Sequence, residues 1–218
     1  MSEYQYYEFR AIDRPLSKRE LTELGALSSR AEITPVSFVN TYNWGNFKGD
    51  PLELMEKYFD AFVYVANWGT RQLMLRIPAR FCDLEAMRPY LSGNAVTVAQ
   101  QDEKLILQFL SEDEPEDWEE GEGWMASLMP LRSELIRGDL RCLYLSWLLA
   151  AHSGELEDDE EEPAVPPGLR SLSATLQSLA EFMRIDPDLI EVAAIESGDL
   201  DVNVPSKEDL QAWISTLA

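Results

Sequence analysis

Apolar positions along this chain recur with two different periods. Up to about residue 110, short runs rich in aromatic and β-branched residues read as strands: Tyr4–Ile12, Ile33–Tyr42, Phe62–Ala66, Gln72–Ile77, Ala95–Ala99 and Lys104–Leu110. Leu73, Leu75 and Ile77 alternate with Gln72, Met74 and Arg76, so the first set is expected to face a core and the second to face away. Helix-start signals lie between the strands. Ser17-Lys18-Arg19-Glu20 is a capping box ahead of Leu21, Leu24 and Leu27. Asp50-Pro51 precedes Leu52, Met55, Tyr58 and Phe59, and Asp83 precedes Leu84, Met87 and Leu91. Asn67-Trp68-Gly69-Thr70 and Gln100–Glu103 fit hairpin turns. The order β-α-β-α-β-β-α-β-β predicts an α+β fold, a mixed or antiparallel sheet with helices on one face.

Beyond residue 111 the period becomes helical. Met125–Ile136 forms one expected helix and Gly138 ends it. Leu140, Leu143, Tyr144, Trp147, Leu148 and Ala151 then make a continuous stripe, completing a helical hairpin. Leu169, Leu172, Leu176, Leu179 and Met183 make another stripe, and Asp186-Pro187 opens a helix through Ile190, Ala193 and Ala194. Ser206-x-x-Asp209 caps a last one bearing Leu210, Trp213, Ile214 and Leu217. The expected organisation is an α+β domain with its hairpin over 1–153, an acidic, proline-rich linker over 154–168, and a small helical segment over 169–218.

Charge sharpens those boundaries. The 218 residues carry a formal charge of −22, yet residues 1–110 hold 14 acids and 12 bases while residues 111–218 hold 26 acids and 6 bases. Eight acids fall in 112–122 and seven in 155–162, ahead of Pro163, Pro166 and Pro167. Runs this dense repel themselves and hold few apolar residues, so they read as solvated joints. The acidic balance opposes direct binding to nucleic acid or to an anionic membrane surface. No apolar stretch reaches the ~20 residues of a membrane span, and the start MSEYQYYEFR has no signal-peptide pattern. Two cysteines, Cys82 and Cys142, are too few for a disulfide framework or a four-thiolate zinc site and read as reduced, buried thiols.

The candidate chemistry is sparse. The phosphate-binding and acyl-transfer motifs G-x-x-x-x-G-K-[ST], G-x-G-x-x-G and G-x-S-x-G do not occur. The single histidine, His152, suits a helix C-terminus, and Cys142 and Ser146 sit at helical offsets that keep them from its ring. Asp199–Asn203 imitates the start of a calcium loop but lacks its glycine and final glutamate. Glu3 and Glu8 read as part of a solvated sheet face. Neither a metal nor a cofactor is expected.

An internal echo is more informative. Residues 38–45 and 62–69 share F-V-x-x-x-N-W-G at an offset of 24. Each copy reads as a strand ending in a turn that Asn closes and Gly permits. The plainer expectation is that each Trp covers one end of the core. The functional one is a recognition patch of Trp44, Lys48, Asp50, Trp68 and Arg71, since Trp and Arg dominate interface hot spots. Arg132, Arg137 and Arg141 form a second candidate, a docking helix face.

The stretches at 6–17, 33–51, 66–78 and 131–148 resemble a family of bacterial proteins to which no activity is attached. The resemblance implies a bacterial cytosolic setting and assigns no site residues. Function is therefore expected to be that of a non-catalytic cytosolic interaction or adaptor protein whose partner is another protein. One alternative is a small-molecule enzyme using Arg71, Arg76 and Asp50 in an Arg- and Trp-lined pocket. The other is an acidic decoy for a basic nucleic-acid-binding protein.

Overall fold

Strand β1 (Gln5–Arg10) is flanked on one side by β3 (Ser37–Tyr42) and on the other by β4 (Ala61–Ala66), antiparallel to both. This is a computed structural model, and it describes residues 3–113, 120–157 and 159–200. The helix expected after Ser206 and most of the first acidic run lie outside the described residues. Around β1 the sheet grows to seven antiparallel strands in the order β2-β3-β1-β4-β5-β7-β6. The remaining strands are β2 (Glu32–Thr34), β5 (Thr70–Pro78), β6 (Val96–Gln101) and β7 (Lys104–Glu112). The protein is thus α+β, as the pattern predicted. The run 33–42 divides into two strands because Pro35-Val36 makes the turn between them, and proline has no N–H to offer a ladder.

The helices are α1 (Lys18–Leu27), α2 (Pro51–Lys57), α3 (Leu84–Met87), α4 (Trp124–Leu128), α5 (Leu131–Ile136), α6 (Arg141–His152), α7 (Ala174–Met183) and α8 (Pro187–Glu196). Ser17 caps α1 through the full capping box, and Asp50, Asp83 and Asp186 cap α2, α3 and α8. The helix expected over 125–136 is two pieces. Pro130 removes a backbone donor and breaks the first at Met129.

Helices cover both faces of the sheet. On one face Tyr7, Phe9, Phe38, Phe62, Met74 and Ile106 pack with Leu24 of α1 and Leu54 and Met55 of α2. On the other, Tyr6, Val63, Leu73, Leu75, Ile77, Leu107 and Phe109 pack with side chains of α4–α7. Placement on one face thus holds for α1 and α2 but not for the remaining helices. Met74 and Arg76, expected to face outward, are buried under α2. Helix α6 has apolar or satisfied side chains on nearly every side, and Arg141 through Leu148 are all buried. It is the central helix of the second layer.

The acidic strap after α6 is tied down. Asn94 N–H donates to Glu155, Tyr144 hydroxyl to Glu162, and Tyr90 hydroxyl to the Ala164 carbonyl. The helices that follow it, over 169–200, add Leu169, Leu176, Leu179, Phe182 and Met183 to the same core as the sheet.

One ion pair is fully enclosed. Asp60 accepts from the Ile12 and Asp13 amides at 2.7 and 2.9 Å and from Arg76 at 2.7 Å. Burial would raise its carboxyl, but the Asp13 amide and the Arg76 charge outweigh that and hold it below the usual carboxylate range. Its stabilising contribution is complete above about pH 4, the ordinary aspartate value, and is lost as the pH falls through the lower folded value. Asp60→Asn should destabilise the protein by about 3 kcal/mol at pH 7, because it leaves Arg76 buried beside a neutral group. In urea unfolding at several pH values, the gap between wild type and variant should narrow below about pH 4.

Candidate functional site

The two copies of F-V-x-x-x-N-W-G lie in register on either side of β1. Phe9 pairs with both Phe38 and Phe62, Glu8 with Val39 and Val63, and Gln5 with Tyr42 and Ala66. The turn after β3 and the turn after β4 therefore leave the sheet at one level, about 10 Å apart, or two strand spacings. The N-terminal end of β1 clamps both. Tyr4 N–H donates to the Asn67 side chain at 3.0 Å, and Gln5 Nε2 donates to the Gly45 carbonyl at 3.0 Å. Gly45 and Gly69 both take positive φ, 80° and 104°.

This geometry leaves both indoles outside. Trp44 is 69% and Trp68 48% exposed, so neither covers the core, contrary to the plainer expectation. Core coverage in the first turn falls to Phe47, whose ring meets Tyr7 at 5.1 Å and Phe38 at 5.7 Å. Trp68 is held by an Nε1 bond to Thr70 Oγ1 at 3.1 Å. Lys48 is exposed on the same loop as Trp44. Asp50 accepts from the Leu52 and Glu53 amides, so its carboxylate caps α2.

Arg71 does not join that patch. It is 2% exposed and donates through Nη1 to the Glu181 and Phe182 carbonyls, at 3.0 and 2.9 Å. Its guanidinium lies over the Trp124 and Phe182 rings. Ser111, its cross-strand partner, donates to the Met183 carbonyl at 2.9 Å. Together they supply donors to the Phe182 and Met183 carbonyls at the C-terminus of α7 and a second donor to that of Glu181, which also accepts from the Arg184 N–H. Burial, and then the charge of Arg184, bring the Arg71 guanidinium down to about 10, so it remains a cation at neutral pH. Five residues along the same strand, Arg76 performs the same task on the opposite face. It donates to the Met55 and Glu56 carbonyls at 2.7 and 2.9 Å, at the end of α2. An odd separation on a strand sends two side chains to opposite faces. Arg71 and Arg76 thus cannot line one pocket, which removes the arrangement expected for the enzyme alternative.

The proposed docking helix face also dissolves. Arg132 is buried, donating to the Arg76 carbonyl and to Asp13, and Arg141 is buried between Asp139 and the Gly168 carbonyl. Only Arg137 of the three is exposed. They lie on two helices separated by Gly138, and long side chains follow the carbonyls nearest to them.

A groove along the outer part of the sheet was missed by the sequence reading. It holds about 570 Å³ between the β2–β3 turn and α4, with Tyr6, Glu8 and Arg10 of β1 as its floor. Glu8 is 3% exposed rather than solvated. Its Oε2 accepts from the Tyr6 hydroxyl at 2.7 Å, and its Oε1 accepts from Arg10 Nε at 2.8 Å and also from Nη2. Burial, and then the contact with Glu8, push the Tyr6 phenol upward, so it remains a protonated donor. Ile12, Val36 and Met129 are exposed around the rim. The signal in the sequence was the i, i+2, i+4 spacing of Tyr6, Glu8 and Arg10, which puts them on one strand face.

His152 ends α6, as expected, and borders a cleft of about 560 Å³ with Ser111, Glu155, Arg184 and Asp186. The Ser111 hydroxyl is already donated to Met183, and Arg184 donates to the Gly69 and Asp113 carbonyls. Among the described residues no group of three or more His, Cys, Asp or Glu side chains could hold a metal ion. No described helix is long and apolar enough to cross a membrane. Cys142 is buried and Cys82 half-buried, and neither forms a disulfide.

Fold and surface together define an α+β protein whose buried charges hold helices in place. Its exposed large apolar side chains include Trp44 and Trp68 at one sheet end, Ile12, Val36 and Met129 around one groove, and Val192 and Ile195 on α8. No family model, curated sequence or solved structure matches the chain.

Arg71→Met should destabilise the protein by about 3 kcal/mol, since it leaves the buried Phe182 carbonyl without its donor and removes a charged hydrogen bond to the Glu181 carbonyl. Hydrogen exchange should accelerate most over 174–184. Trp44→Ala and Trp68→Ala should each change stability by no more than about 0.5 kcal/mol in the same unfolding assay.

Proposed function

We propose that this is a non-catalytic cytosolic interaction protein that grips a partner protein with the paired Trp turns. The observation behind this reading is the exposure of Trp44 and Trp68 at one level on the two strands flanking β1. Trp is enriched at interface hot spots and supplies large, rigid contact area with few torsions to freeze. The turns are preorganised by Tyr4, Gln5, Asn67 and Thr70, so binding orders little further chain. Lys48 offers a cation beside Trp44 on the same loop.

The charged groups elsewhere support the same reading. Arg71, Arg76, Arg132 and Arg141 are engaged by helix ends, carbonyls and carboxylates, and Glu8 has both oxygens occupied. These groups are arranged to fix structure. Two members of the second acidic run, Glu155 and Glu162, bond within the fold.

The test is quantitative capture from a lysate of the source cells, comparing wild type with the double variant Trp44→Ala/Trp68→Ala. A protein retained by wild type and reduced at least tenfold with the variant, at equal melting temperature, supports the reading. Equal retention by both, or no retained protein at all, defeats it.

A further inference from the structure

We propose that the outer face of α8, with the groove between α8, α6 and the acidic strap over 154–168, is a docking surface for a basic amphipathic helix of a partner protein. It is a second surface, separate from the Trp turns, and does not depend on their role.

Helix α8 carries apolar side chains on two faces. Ala193 and Ala194 are buried in the main core, and Ile190 packs against that core. On the outer side Val192 is 65% and Ile195 69% exposed. Half-buried Leu189 extends their row by one turn. A helix with apolar residues on two faces ordinarily packs on both. Beside the row opens a groove of about 310 Å³, walled by Trp147 and Leu148 of α6 and by Val165 of the strap. The indole Nε1 of Trp147 is buried and has no hydrogen-bond partner among the described residues. A buried N–H without a partner is uncommon in a folded protein, and this one belongs to a side chain of the groove wall.

Charge selects the occupant. Glu162 and Glu196 line the groove, and none of its described lining residues is basic. Asp159, Glu160 and Glu161 are exposed just ahead of Glu162, and Asp188 and Glu191 are exposed on α8. Residues 142–200 hold 13 acids against two arginines. Both arginines are engaged, Arg170 by the Ala194 and Ile195 carbonyls and Arg184 by those of Gly69 and Asp113. The strap is fixed beside the groove, because the Tyr144 hydroxyl donates to Glu162 at 2.6 Å and the Tyr90 hydroxyl to the Ala164 carbonyl at 2.8 Å. A second copy of this chain would set carboxylates against carboxylates, and an anionic membrane surface would be repelled. An apolar row flanked by Lys and Arg matches both the uncovered row of α8 and its acidic border. Recognition of a helix in a groove uses anchors at i, i+3, i+4 and i+7, and the ten residues of α8 offer about 15 Å for packing alongside.

The probes are three synthetic peptides of about 18 residues, or five helical turns, read by fluorescence anisotropy against the full chain. One has Leu at helical spacing and Lys elsewhere, one replaces every Lys by Glu, and one scrambles the Leu/Lys sequence. The Leu/Lys helix should bind at least tenfold more tightly than the other two. Its affinity should fall at least tenfold for Val192→Lys/Ile195→Lys and at least fivefold for Glu162→Gln/Glu196→Gln. The first pair is solvent-exposed, the second keeps an acceptor for Tyr144, and melting curves confirm that both variants fold. Affinity should be unchanged for Glu32→Gln/Glu103→Gln, which removes two exposed carboxylates elsewhere, and for Trp44→Ala/Trp68→Ala. Equal loss with the two glutamine pairs overturns the proposal by showing attraction without a site. Equal binding of the scrambled peptide, or no binding of any peptide, overturns it as well. Binding lost only with the Trp variant also overturns it, while supporting the Trp turns as the recognition surface. A wild-type dimer in sedimentation that Val192→Lys/Ile195→Lys dissociates overturns it too, by making a second copy the occupant.

Discussion

Two arginines of β5 hold the layers of this protein together. Arg71 reaches to one side of the sheet and closes the C-terminus of α7, and Arg76 reaches to the other and closes the C-terminus of α2. Each places a cation where the helix dipole is negative and donates to carbonyls of the last turn. β5 lies inside the sheet between β4 and β7, so these side chains start from an interior strand. Burying a guanidinium is unfavourable unless its donors are filled. Their filling fixes where the two helices end.

Other contacts follow from that placement. With α7 anchored, Phe182 and Met183 complete the core around Leu73 and Phe109. Arg184 then reaches back to the Gly69 carbonyl in the turn that carries Trp68. With α2 anchored, Asp60 at its far side gathers Arg76 and the Ile12 and Asp13 amides. Arg132 joins this network through the Arg76 carbonyl and Asp13. The chain between Arg10 and Asp13 is thereby fixed, and Ile12 is left standing at the rim of the groove. The mechanical parts are thus neighbours of the Trp68 turn and of the groove rim.

The strands and helix caps were legible because they rest on local rules. Period-two runs, the Ser17–Glu20 box and the Asp-Pro starts need only near neighbours in the chain. The departures occurred where proline intervened, at Pro35 and Pro130, and where charge was taken for exposure. Arg71, Arg76, Arg132, Arg141 and Glu8 all looked like surface residues and are all buried. A charged side chain is buried when a helix end or a carboxylate waits for it, and those partners are distant in sequence. Arg71 and Glu181 are 110 residues apart. Strand parity carried part of this information, since Arg71 shares a face with Leu73 and Leu75 and Tyr6 shares one with Glu8 and Arg10.

The sequence by itself determined the α+β class, most element boundaries, the capping residues and the repeated N-W-G turns. It also determined that the acids cluster in two runs, because composition needs no partners to be read. Only the tertiary structure decided that the two turns flank one strand at one level, leaving Trp44 and Trp68 both exposed. It alone decided that helices cover both faces, that the segment over 169–200 joins the main core, and that a groove opens beside Glu8. The physical reason is common to all four. Strand order and helix docking are set by contacts between residues far apart in the chain, and local periodicity records which face a side chain takes but not what lies opposite it.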